Sequence, residues 1–80
     1  MTSTDRLRSV FRGSLGLSEG LDVDGLEYRG IESWDSIAHM SLVAAIEDEF
    51  DVMIDTDDVI DLSSFAKARE ILAKQGVEFG

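Results

Sequence analysis

The sequence contains no cysteine, so it can build neither a disulfide framework nor a thiolate metal site, and any thiol chemistry must be brought by a cofactor. It has no long apolar run and therefore no candidate membrane span. Its first twelve residues, M-T-S-T-D-R-L-R-S-V-F-R, lack the apolar core of a secretory signal, and a reducing cytoplasm is the expected compartment. Basic residues are scarce. Seven Lys and Arg against seventeen Asp and Glu give a formal net charge of −10. Such a surface repels nucleic-acid phosphate, which disfavours nucleic-acid binding. It attracts proteins that carry Lys and Arg patches and speeds their encounter.

Hydrophobic residues make up 44% of the eighty, enough for the single core of one small domain spanning residues 1–80 but not for a deep catalytic cleft. Helical signals recur along it. Leu7, Val10 and Phe11 stand at i, i+3, i+4 in a first helix from Thr4 to about Leu15, with Ser3 or Thr4 as its cap and Gly16 as its stop. Arg6, Arg8 and Arg12 take the other side and read as a solvated face. From Leu17 to Trp34 no helical period persists. Gly20, Gly25 and Gly30 punctuate a long loop in which Leu21, Val23, Leu26, Tyr28 and Ile31 act as apolar pegs, with Tyr28 and Trp34 as packing residues. Asp22-Val23-Asp24-Gly25 does not open a calcium loop, because aligning Gly25 puts Gly20 and Ile31 where carboxylate ligands belong. After Phe50 an extended D-V-M-I-D leads to a short helix capped by Thr56. A last helix from Phe65 to about Gln75 is capped by Ser63 or Ser64 and places Phe65, Ala68 and Leu72 on one face with Ile71 beside them. The expected fold is all-α: three main helices, one short helix, and a long loop between the first two.

The stretch from Gly30 to Phe50 organises the rest. A loop closes on Trp34, turns at Asp35-Ser36 and enters a second helix. At about 100° per residue, His39, Leu42, Val43, Ile46 and Phe50 share a broad core face. Ile37, Met40 and Ala44 form a second ridge, with Ser41, Glu47 and Asp48 beside it. A narrow apolar strip rimmed by carboxylates, starting at an exposed hydroxyl, has the pattern of a docking surface; the alternative is that a wrapped loop covers it. Ser36 lacks what a catalytic nucleophile needs. The single histidine, His39, lies on the core face about 60° away around the helix, and no Gly-x-Ser-x-Gly elbow is present. His39 reads as a packing residue rather than a metal ligand.

Asp35-Ser36-Ile37, opening an acid-rich helix, resembles the Asp-Ser-Leu motif of acyl carrier proteins and related phosphopantetheine-binding carrier domains. Glu47-Asp48-Glu49-Phe50 is similar to that family's acidic run ending in Phe. The likeness continues through Asp51 to Asp55, and chain length and element order fit as well. The resemblance implies that Ser36 receives 4'-phosphopantetheine from coenzyme A through a phosphopantetheinyl transferase, and that the thiol of the arm holds a thioester cargo. It implies that Asp35 caps the helix or orients the transferase and its metal ion. Ile37, Met40 and Ala44, with Glu47 and Asp48 as the charged rim, would meet acyl- or aminoacyl-activating and transferring enzymes that carry basic docking patches. The chain would be a monomeric, freestanding acyl carrier and not itself an enzyme, serving a fatty-acid, polyketide or related pathway. Ala38 and Ser41 stand where the family often has acidic residues, Trp34 where Leu is frequent and Asp55 where many members have proline, so a dedicated partner set is expected. The rival readings are an aminoacyl or peptidyl carrier of a nonribosomal pathway and an unmodified acidic adaptor.

Overall fold

The computed structural model describes residues 2–30 and 33–79. Four helices follow one another: α1 (Ser3–Leu15), α2 (Ser36–Phe50), α3 (Thr56–Asp61) and α4 (Phe65–Lys74). No strand forms among the described residues; the one extended pairing is an isolated antiparallel bridge between Glu27 and Ser64. The expected all-α bundle of three main helices and one short one is therefore the fold observed.

Each helix begins at a side chain that takes an otherwise unpaired amide. Thr2 Oγ1 accepts from the Asp5 N–H at 3.1 Å, Asp35 Oδ1 from Ala38 at 2.9 Å, Asp55 Oδ1 from Asp58 at 3.0 Å and Ser64 Oγ from Lys67 at 3.0 Å. Two expected caps move by a residue or two. Thr2, not Ser3 or Thr4, caps α1, and Asp55, not Thr56, caps α3. Where capable residues are adjacent, the role falls to the one with extended backbone, and Thr2 and Asp55 have it at φ/ψ −77°/163° and −75°/169°. α1 stops at Gly16, whose φ of +65° suits glycine, and α4 stops one residue before Gln75, which serves as its C-cap.

One core joins all the elements. Leu7, Phe11 and Leu15 of α1 meet Leu42, Val43 and Ile46 of α2, and Phe65, Ala68, Ile71 and Leu72 of α4 close the other side. Each large side chain so buried contributes about 1.5–3 kcal/mol relative to exposure. The loop between α1 and α2 supplies buried Val23, Leu26 and Trp34, with Leu21 and Tyr28 half-buried against them; Ile31 lies outside the described residues. Backbone bonds then fasten this loop to the α3–α4 junction. The Phe65 N–H donates to the Leu26 carbonyl at 3.0 Å and the Tyr28 N–H to the Ser63 carbonyl at 2.7 Å.

The α1 arginines are not the solvated face that the helical wheel suggests. The Arg6 guanidinium bonds the Glu49 carboxylate at 2.9 Å and the Glu49 carbonyl at 2.6 Å, and lies over the Phe50 ring. Arg8 grips Asp24 through two bonds of 2.7 Å, which holds that carboxyl below the usual carboxylate range. Arg12 donates to the loop carbonyls of Glu19 and Leu21. These contacts join residues far apart in sequence, which periodicity alone does not reveal. No helix of the described chain is long and apolar enough to cross a membrane.

Candidate functional site

Ser36 is the first residue of α2, and it is exposed. Its helix start is fixed by Asp35, whose carboxylate takes the Ala38 amide and whose carbonyl takes the His39 amide at 2.8 Å. The Ser36 hydroxyl is not simply solvated. The Arg29 Nη2 donates to Oγ at 3.3 Å, and Tyr28 Oη lies 3.1 Å from Oγ on another side. A hydroxyl that accepts from a guanidinium is free to donate its own hydrogen to the phenol oxygen, so the three groups form a short polar relay. The Ser36 hydroxyl, followed by the Arg29 guanidinium, draws the Tyr28 phenol below the ordinary tyrosine value, and the same pairing raises Arg29.

Sequence reasoning missed Arg29 and gave Tyr28 a packing role only. Both reach Ser36 because of a turn. The Gly30 N–H donates to the Glu27 carbonyl at 2.9 Å, closing residues 27–30, and Arg29 occupies the third position with φ +64°. That position normally selects glycine or asparagine. A side chain at the next residue would crowd the turn: a Cβ on Gly30 would stand 3.0 Å from the Glu27 carbonyl oxygen. The available signal was the sequence Tyr28-Arg29-Gly30 itself, an arginine before a loop glycine, but nothing local says where its side chain goes.

Because the chain has one tyrosine, the relay can be read directly. Spectroscopic titration of the phenol is expected to give a value below that of a free tyrosine, and Ser36→Ala to move it upward. The linkage sign follows: a phenol depressed in the folded state adds stability as pH rises through its folded value toward the unfolded one, and adds none below the folded value. An identical titration in Ser36→Ala would remove the relay.

Behind Ser36 the wall is aromatic. Trp34 is fully buried, edge-on to Phe11 with ring centroids 5.4 Å apart. Its indole N–H donates to His39 Nδ1 at 3.0 Å, so the His39 ring hydrogen sits on Nε2, which donates to the Val59 carbonyl at 2.9 Å. His39 therefore ties α2 to α3, and both ring nitrogens are engaged by partners other than Ser36. This makes it a latch as well as the packing residue expected.

Beside the hydroxyl the second ridge of α2 is uncovered. Ile37 is 81% exposed, Met40 60%, and Ala44 is exposed too, so none of the described loop residues wraps the strip. Two residues expected at its rim part company. Asp48 is exposed and also lines the groove between α1 and α2 with Ser9, Gly13 and Ala45. Glu47 is half-buried, and its carboxylate accepts the Ile54 N–H at 2.8 Å, securing the connection to α3. Met53 and Ile60 are also largely exposed, apolar positions that the helical wheels did not single out.

Among the described residues no group of three or more His, Asp or Glu side chains is placed to hold a metal ion. Comparison with family models, with curated proteins and with solved structures finds no match to this chain.

Proposed function

We propose that this chain is a carrier domain, loaded covalently at Ser36 and delivering its cargo to enzymes that dock on the Ile37–Met40–Ala44 strip. The observation that carries the reading is the pairing of an exposed hydroxyl at a helix start with an uncovered apolar strip one turn along the same helix. The residues present suit a phosphoryl ester. Arg29 already donates to Oγ, and helix geometry leaves amides of the first turn without intrahelical acceptors.

In the loading step, Ser36 Oγ attacks the pantetheine-bearing phosphorus of coenzyme A. The Oγ–P bond forms, the pyrophosphate P–O bond breaks, adenosine 3',5'-bisphosphate leaves, and the hydroxyl proton passes to a base of the transferase. When bound, 4'-phosphopantetheine would supply the thiol this chain lacks, on which an acyl group could be carried. The chain's own contribution is presentation: Asp35 fixes the first turn, Arg29 and Tyr28 orient Oγ, and the core holds all three on a rigid base. The acyl class is favoured over the aminoacyl class by the net charge of −10, which suits enzymes with basic docking patches.

The test is intact mass after incubation with coenzyme A and a broad-specificity phosphopantetheinyl transferase. The carrier gains about 340 Da, mapped by peptide analysis to Ser36. An unmodified acidic adaptor keeps its mass, and that result overturns the proposal. The docking strip has its own check. Ile37→Asp and Met40→Glu are each expected to lower kcat/KM for loading by about tenfold or more, the loss typical of a central apolar contact, with the melting temperature unchanged because neither residue is in the core.

A further inference from the structure

We infer that Arg29 and Tyr28 form a clamp for the phosphoryl group of an ester on Ser36, so that the loop before α2 fixes where the attached arm leaves the surface. The inference rests on the carrier reading and adds to it a binding role for two loop residues.

Three observations carry it. First, the Arg29 guanidinium already reaches Oγ, at 3.3 Å. A phosphorus bonded to Oγ places its non-bridging oxygens two bonds beyond Oγ, within the reach of a guanidinium that offers five N–H groups. Second, the arginine is held there at a backbone cost. A residue other than glycine at φ +64° in the third position of a turn is disfavoured by about 1–2 kcal/mol. The turn nevertheless carries the one side chain that puts a positive charge on the Ser36 oxygen. Third, the relay can reverse. The free Ser36 hydroxyl can donate to Tyr28 Oη across 3.1 Å. Once Oγ is esterified it has no hydrogen, and the phenol becomes the donor, toward the phosphoryl oxygens. The Arg29 guanidinium also covers the Tyr28 ring, with Cζ 5.5 Å from its centroid, so the two arms of the clamp brace each other.

Phosphorus NMR of the loaded protein tests this without any partner activity. Wild type, Arg29→Gly, Arg29→Lys and Tyr28→Phe are loaded with coenzyme A and transferase, and the diester resonance is recorded. Arg29→Gly removes the guanidinium and relieves the turn at once, so it folds. In wild type the resonance is expected to be displaced from that of free phosphopantetheine and to relax with the tumbling of the whole protein. In Arg29→Gly it should return toward the free position and relax several-fold more slowly in the transverse direction. Arg29→Lys is expected to fall between, because an ammonium keeps the charge but loses the paired donors. Tyr28→Phe should give a smaller displacement. A resonance with the same position and relaxation in wild type and Arg29→Gly overturns the clamp while leaving the carrier reading intact. Absence of phosphorus on Ser36 in every protein overturns that reading and the clamp with it.

Discussion

Ser36→Ala is expected to take covalent loading from complete to none while leaving the fold in place. The hydroxyl makes no core contact, and the cap of α2 belongs to Asp35, so the substitution removes the acceptor oxygen without removing a support. Alanine is also the better helix former at that position. Stability should stay within about 0.5 kcal/mol of wild type, as for an ordinary surface change. Asp35 separates presentation from chemistry in the same assay. Asp35→Ala forfeits a cap worth about 1 kcal/mol, whereas Asp35→Asn caps nearly as well and changes only the charge offered to a transferase. Loading that persists in Ser36→Ala would place the acceptor elsewhere.

Trp34→Ala should come close to unfolding the protein. The indole is the largest fully buried side chain and sits at the junction of the loop, α1 and α2. Truncating a buried aromatic to alanine costs about 3–5 kcal/mol. A chain of eighty residues has only about 4–12 kcal/mol in total. The expected fall in melting temperature is at least about 12 °C. Trp34→Phe refines the point: it keeps a ring against Phe11 but leaves His39 Nδ1 without its donor, a loss of about 1–3 kcal/mol. Urea denaturation followed by circular dichroism measures both, since the variants lose the only tryptophan signal. A loss under about 1 kcal/mol in Trp34→Ala would show that the core repacks around the gap.

The helices were legible because their signals are local. Asp35 announces the start of α2, and the division of its surface into a buried face through Leu42, Val43 and Ile46 and an exposed ridge through Ile37, Met40 and Ala44 follows from a 3.6-residue period. Caps slipped at Thr2 and Asp55 because neighbours of equal hydrogen-bonding capacity differ only in backbone dihedral, which no side-chain type records. Glu47 looked like surface charge and proved to hold Ile54 in place. The arrival of Tyr28 and Arg29 at Ser36 was hidden for the same reason. It depends on a turn with an unusual dihedral and on backbone bonds to residues more than thirty positions ahead. Contacts of that range carry no periodic trace.

Those backbone bonds from Leu26 and Tyr28 to Phe65 and Ser63 set an order of events during synthesis. Ser36 is synthesised well before Ser63 and Phe65, so the turn bearing Arg29 has nothing to fasten to until the start of α4 has followed. The completed arrangement around the serine thus exists only once α4 has begun to emerge, and an enzyme that recognises it would pass over a shorter nascent segment.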